Sequence, residues 1–282
     1  MSHPTPDPNI LTYNSPEVAG YYASLDYLTP CEQLLFSENL RSGMAILDLG
    51  VGGGRTTTYL SSLAGRYVGV DYAPEMIAAC RKKFPQLDFQ VGSAADLSMF
   101  APSSFNAVVM AFNGIDYVIP DESRFRALQE IHRVLTPEGV LIFSSHNPRS
   151  IWVRASWNPK RVPELASSIV SPDSALFRPL LWLLTAVRVL FAGAQAVLRS
   201  LARSARRIPT RTFWQGSGYL LDPAHGGLKT HLATPESVVR EANSFGFRLL
   251  RMLGDDYPCL SHPLVTDWYY YVFSKSQARG EK

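Results

Sequence analysis

Ala45-Ile46-Leu47-Asp48-Leu49-Gly50-Val51-Gly52-Gly53-Gly54 decides the reading of this chain. An apolar run of strand length ends in an acidic residue and a glycine turn. A second apolar run, Tyr67-Val68-Gly69-Val70, follows and ends in Asp71, seventeen residues after Gly54. Glycines let the backbone approach a ligand without interference from Cβ. A carboxylate at the tip of the next strand, about 20 residues on, suits the two hydroxyls of a ribose. The pair of strands therefore predicts a nucleoside lying across their carboxyl ends.

The spacing also bears on which nucleoside. A dinucleotide fingerprint needs Gly-x-Gly-x-x-Gly, and in the register from Gly50 its third glycine falls on Arg55. The pattern is instead acidic-x-Gly-x-Gly-x-Gly, with Asp48 two residues before Gly50. A carboxylate there repels a pyrophosphate and attracts the ammonium of an amino acid. S-adenosylmethionine has a ribose, an amino-acid tail and no phosphate. A nicotinamide dehydrogenase is disfavoured by both Arg55 and Asp48.

These residues, with several later segments, resemble the class I S-adenosylmethionine-dependent methyltransferases. Ile46 to Gly54 is similar to the family's first motif, and Val68 to Met76 to its second. Gly92-Ser93-Ala94-Ala95-Asp96-Leu97, Phe105 to Met110 and Leu128 to Ser145 resemble the segments that follow. The match is close over 40–147 and loose over 229–275. The resemblance implies an α/β fold: a doubly wound, seven-stranded, mostly parallel sheet with an antiparallel seventh strand and a helical insertion after strand five. It also implies cofactor contacts from Asp48, Gly50, Gly52 and Gly54, from Asp71 at the ribose, and from Tyr72 on the adenine. Ala95, Asp96 and Leu97 belong near the adenine amino group, with Met76, Ala111 and Asn113 close by. Tyr22 and Arg55 are expected at the methionine end, Arg55 pairing with its carboxylate.

The hydrophobic pattern supports that architecture independently. Strands are predicted near 45–49, 67–71, 87–91, 106–111 and 139–145, and helices near 55–64, 74–84 and 123–135. Thr234-Pro235-Glu236 opens a further helix ending at Gly246, and strands near 247–253 and 268–274 follow. The expected units are a helical cap over the cofactor in 1–40, an α/β core in 41–148 and 229–282, and a largely helical insertion in 149–228.

The insertion differs from the rest in charge. Residues 149–211 hold eleven basic residues against Glu164 and Asp173, a net of +9 in a chain of +3. Within it, 175–207 reads as one amphipathic helix with Arg178, Thr185, Arg188, Gln195, Arg199, Arg203 and Arg206 on a stripe. Arg188 interrupts the apolar run, which argues against a membrane span. Two readings compete. The helix is a lid or homodimer element whose apolar face packs on its own protein, or it lies at a membrane surface with arginines toward anionic headgroups. Nothing in the pattern matches a nucleic-acid-binding module.

Following strand five, the insertion falls where ligands bind in open α/β sheets, so it is expected to shape the pocket of a small-molecule acceptor. Methyl transfer to a hydroxyl needs a general base, and the candidates are His146, His231, His225 and Asp116, in that order. Each histidine is also readable as a hydrogen-bonded structural residue. Transfer to nitrogen or carbon, or cofactor binding without turnover, stays open here. Cys31, Cys80 and Cys259 are odd in number and widely spaced, which speaks against a disulfide framework, and no metal-ligand spacing appears. The polar, proline-rich start lacks a signal-peptide core, so the expected location is the cytoplasm, with membrane-surface contact in the second reading of the helix.

Overall fold

The computed structural model describes residues 8–153, 161–201, 216–222 and 228–276. Three short helices come first: α1 (Pro8–Tyr13), α2 (Pro16–Ser24) and α3 (Pro30–Asn39). The start of α3 is fixed by a reciprocal cap, in which the Glu32 N–H donates to Thr29 Oγ1 and the Thr29 N–H donates to Glu32 Oε2.

The core alternates β1 (Met44–Leu49), α4 (Thr57–Leu63), β2 (Ala64–Asp71), α5 (Pro74–Lys83), β3 (Asp88–Val91), β4 (Phe105–Met110), α6 (Asp121–Val134) and β5 (Leu135–His146). A 3-10 turn, Gly114–Tyr117, lies between β4 and α6. After the insertion come α10 (Pro235–Ser244), β8 (Phe247–Gly254) and β9 (Trp268–Lys275). The sheet runs β3-β2-β1-β4-β5-β9-β8. Its first five strands are parallel, and β9 is antiparallel to both neighbours. This is the seven-stranded, doubly wound fold that the strand and helix pattern predicts.

Strand side chains alternate between two apolar layers, as a pleated sheet requires. Leu47, Leu49, Val108, Met110, Leu141 and Phe143 face α6 and α10. Ile46, Ala107, Val109 and Ile142 face α3, α4 and α5, meeting Phe36, Leu60 and Ile77. Both faces are covered, which is why the strands read as near-continuous apolar runs.

The insertion contributes α7 (Pro148–Val153), α8 (Arg161–Ile169), α9 (Phe177–Leu201) and a separate hairpin of β6 (Ser217–Asp222) and β7 (Leu228–Ala233). The described part of α9 ends at Leu201, so Arg203 and Arg206 lie outside the described residues. One expectation for this helix, a polar stripe turned away from the protein, is corrected at Thr185 and Arg188. Its inward face is Leu181, Thr185, Arg188 and Ala192, all buried. Arg188 donates to the Val265 carbonyl at 2.8 Å and stands 3.6 Å from the Asp256 carboxylate. Part of the polar stripe therefore faces the protein, because the Asp256 carboxylate and the Val265 carbonyl stand where the helix docks. Phe177–Gln195 is long and apolar enough to cross a membrane, yet its one central charge is held by the fold.

Candidate active site

Beyond the carboxyl ends of β1, β2 and β4 lies a cavity of about 480 Å³, within the usual range for small-molecule sites. Its floor is the glycine loop. Gly50 has φ +69 and donates its N–H to Val70 O at 2.7 Å, locking the loop to the end of β2. At Gly53 the requirement is space: a Cβ there would stand 2.2 Å from the Ala23 nitrogen at the end of α2. The N-terminal helices are thus seated directly on the loop.

Asp71 is buried at the tip of β2 and lines the cavity. It accepts the Gly52 N–H at Oδ2 and the Ala73 N–H at Oδ1, both at 2.9 Å. The carboxylate therefore ties the glycine loop to the start of α5. Asp48 is also buried and lines the cavity, and its Oδ2 accepts from Thr56 Oγ1 at 2.8 Å and Tyr67 OH at 2.9 Å. Burial pushes its carboxyl up to about 6, against those two hydrogen bonds and the Arg55 charge.

Arg55 has a partner that the motif spacing does not foretell. Its guanidinium makes a two-pronged contact with Glu32, at 2.6 and 2.8 Å, and donates to Tyr27 O. It also lies over the rings of Tyr27 and Phe112. Its charge is already matched by a buried carboxylate in α3, so a carboxylate ligand is not needed to explain its position.

Aromatic side chains make up much of the wall. Tyr13, Tyr22 and Tyr72 form an edge-to-face cluster on one side, and Tyr117 joins it through Tyr13. Burial pushes the Tyr13 hydroxyl far above its ordinary range, so it stays protonated at neutral pH. Across from these, Phe112 packs on Trp268, and Trp268 packs on His146. Phe112 and Asn113 are consecutive non-glycine residues in the left-handed region, with φ 55 and 62. Such strain persists only where the surroundings enforce it. Here the Asn113 N–H donates to Ser144 Oγ at 2.8 Å.

His146, the last residue of β5, lines the cavity and pairs with Trp268 across the β5–β9 ladder. Its Nδ1 is 2.8 Å from Asp116 Oδ2, which also accepts the His146 backbone N–H at 2.7 Å. Ser145 Oγ donates to the other oxygen of Asp116, at 2.7 Å. Burial alone would raise the Asp116 carboxyl, but His146 and His231 outweigh it and hold the group below the usual carboxylate range. An ionised acceptor fixes the proton of His146 on Nδ1. Its Nε2 lone pair then accepts from Asn113 Nδ2, 3.1 Å away. Asn113 Oδ1 is buried without a hydrogen-bond partner.

His146, His231 and Asp116, rival bases by sequence, thus form one group. His231 is buried on β7 with Nδ1 4.0 Å from Asp116 Oδ1, and lies outside the cavity lining. His225 lies outside the described residues. Of the expected cofactor contacts, Tyr22, Asp48, Gly50, Gly52, Arg55, Asp71, Tyr72, Met76, Ala111 and Asn113 line the cavity. Gly54 sits beneath it against Phe84 and Cys80. Ala95, Asp96 and Leu97 are not in the lining; Gly92, Ser93 and Ala94 are. Asp96 is exposed and accepts the Ser98 N–H, while Leu97 is buried in the core. Sequence reasoning missed Tyr13, Phe112 and Trp268. The signal for Trp268 was available only through the pairing of β9 with β5.

Residues 46–139 match the model of a family described as a methyltransferase domain. Over 95 residues the chain is 36% identical to a demethylmenaquinone methyltransferase of Chlorobaculum parvum, covering 33% of this chain and 37% of that protein. The chain spans less than half the length of the first curated relatives it matches. A solved S-adenosylmethionine-dependent methyltransferase of Methanosarcina mazei superposes with a TM-score of 0.55 at 19% identity, covering 90% of this chain and all of that one. The 1,6-didemethyltoxoflavin-N1-methyltransferase of Burkholderia thailandensis, solved with its substrate and S-adenosylhomocysteine, gives 0.56 at 13% identity, covering 98% and 93%. At such identities the structural likeness speaks for the fold.

Proposed function

We infer that this chain, a member of the class I S-adenosylmethionine-dependent methyltransferase family, moves a methyl group onto a hydroxyl of a flat, partly apolar small molecule. The observation that carries this reading is the Asp116–His146 pair, which keeps the ring proton on Nδ1 and leaves Nε2, hydrogen-bonded to Asn113 Nδ2 in this structure, as the basic atom at a cavity of small-molecule size.

The residues present suit the cofactor. Asp71 is at the strand tip, where a carboxylate takes ribose hydroxyls. Asp48 adds a second buried carboxylate for the ammonium of an amino-acid tail, and Asn113 Oδ1 is an acceptor in want of a donor. When bound, S-adenosylmethionine supplies a methyl group on a cationic sulfur, open to in-line displacement.

The protein then has two tasks. The first is alignment, in which the aromatic wall of Phe112, Tyr117 and Trp268 holds a planar acceptor beside His146. Well-oriented reactants gain about 7–11 kcal/mol. The second is removal of the hydroxyl proton by His146 Nε2, the acceptor hydroxyl displacing Asn113 Nδ2 from that atom, with Asp116 stabilising the resulting imidazolium. General-base assistance adds roughly 10²–10⁴-fold, about 3–5 kcal/mol. Alignment is therefore the larger effect. In this reading residues 1–40 cap the cofactor, 149–228 border the acceptor, and Arg55 with Glu32 forms a neutral wall. The demethylmenaquinone named for the relative is a quinone, a planar class that an aromatic wall would also hold.

The test is incubation with methyl-labelled S-adenosylmethionine and a panel of phenols, enols and matching amines, with products located by mass spectrometry. Oxygen-methylated product, formed at least about 100-fold more slowly by His146→Asn, supports the reading. Turnover indifferent to that substitution, or product methylated at nitrogen or carbon, contradicts it.

A further inference from the structure

We propose that the outer face of α9 docks on an anionic lipid bilayer, lying in its surface plane. The observation is an exposed apolar ridge. From Pro179 to Leu198 the sequence holds one charged residue, Arg188, and that one is buried. The outward positions carry Leu176, Trp182, Leu183, Val187 and Leu190, which are 46 to 74% exposed. On α8, Leu165 and Ile169 are 45 and 60% exposed. From Leu176 to Leu190 the exposed positions give a ridge of about 21 Å at 1.5 Å per residue. A contiguous apolar surface of this size on a folded protein marks an interaction site.

Charge complementarity selects the occupant. No acidic residue occurs between Asp173 and Asp222, and the same stretch holds Arg178, Arg188, Arg199, Arg203, Arg206, Arg207 and Arg211, followed only by neutral residues. Six of these seven flank the apolar ridge in sequence, since Arg188 is engaged by Asp256 and Val265. An apolar face with cationic flanks fits an interface of acyl chains beneath anionic headgroups. A second copy fits less well, because the stretch from Ser174 to Leu221 offers seven arginines and no acidic residue of its own to pair with them. A span across the bilayer is opposed by Arg188, whose contacts anchor the helix to the loop before β9. That loop leads directly to Trp268 in the cavity wall, so the docked helix would sit on the acceptor side of the molecule.

The experiment is co-sedimentation of the full chain with vesicles of phosphatidylcholine alone or with 30% phosphatidylglycerol (about a third anionic lipid), alongside sedimentation velocity without lipid. Binding to the anionic vesicles at least about tenfold tighter than to neutral ones, weakened by salt and lost in a Leu183→Glu/Leu190→Glu variant, supports the proposal. Both positions are exposed, so calorimetric binding of S-adenosylhomocysteine checks that the variant is folded. Equal partition of the chain and its variant, no vesicle binding, or a lipid-free dimer that the variant abolishes would overturn it. Vesicle binding is read without turnover, so its failure is separate from failure of the proposed reaction.

Discussion

His146 and Asp116 are joined twice, through Nδ1 and through the backbone N–H of the histidine, both on the same carboxylate oxygen. The double contact fixes ring position and tautomer together. Asp116→Asn keeps the shape and removes the charge that would stabilise an imidazolium. The expected result is a kcat lower by about 10²–10⁴-fold with KM for the cofactor nearly unchanged. Steady-state kinetics on both substrates checks it, with a thermal melt to confirm folding. A fall in cofactor affinity without loss of kcat would mean that the pair is only structural.

Asp71 has a dual burden, since it holds Gly52 and Ala73 and is the carboxylate nearest the expected ribose. Replacing it with Ala removes charge-assisted hydrogen bonds of about 1.5–3 kcal/mol each. Affinity for S-adenosylhomocysteine should fall by at least about 10-fold to 100-fold, measured by calorimetry. Asp71→Asn should retain more of the fold and lose nearly as much affinity.

Asp48 gives a pH dependence of definite sign. Burial holds its carboxyl up at about 6, and a cationic ligand favours the ionised form. Cofactor affinity should be on a plateau above that value and weaken by about tenfold per unit below it. Asp48→Asn should bind weakly at pH 7.5 and lose the slope between 7.5 and 5. An unchanged slope in the variant would assign the titration elsewhere.

Arg188 is expected to matter for stability. Its replacement by Met leaves Asp256 buried without a cation, a loss of about 3–5 kcal/mol. Burial already raises the Asp256 carboxyl to about 6, and Asp255, raised by burial and by Asp267 and Asp256, to about 7. Groups raised on folding favour the native state at low pH and lose that contribution as pH rises through the window from about 4 to these values. The Arg188→Met deficit should therefore be larger at pH 8 than at pH 5, by urea denaturation.

Gly53→Ala tests the seating of the N-terminal helices. The added carbon would meet the Ala23 backbone at 2.2 Å, so α2 must lift from the loop. Overpacking of this kind costs about 1–3 kcal/mol, and the dissociation rate of S-adenosylhomocysteine should rise. Stopped-flow fluorescence measures that rate.

Much of the fold was legible because the core strands are buried on both faces and short turns separate them from periodic helices. The β1 loop and Asp71 announced the cofactor edge for the same reason, being close in sequence as well as in space. What was not legible depends on distant contacts. Glu32 meets Arg55 from a helix before the first strand, and Trp268 meets His146 only because β9 pairs with β5. Which face of α9 turns inward was not legible, since an amphipathic pattern gives two faces and not the partner of either. Asp256, which draws Arg188 inward, is far along the chain. Nor did spacing indicate that Asp116 and His146 act on one another, although they were both singled out.

The most direct test of the central claim is calorimetric titration of the full chain with S-adenosylmethionine and S-adenosylhomocysteine, set against NADH and repeated with Asp71→Ala. The account predicts binding of both sulfur nucleosides in the micromolar range (about −8 kcal/mol), weakened at least about tenfold in the variant, and no heat with NADH. Absence of binding by either nucleoside, or preference for NADH, would contradict it.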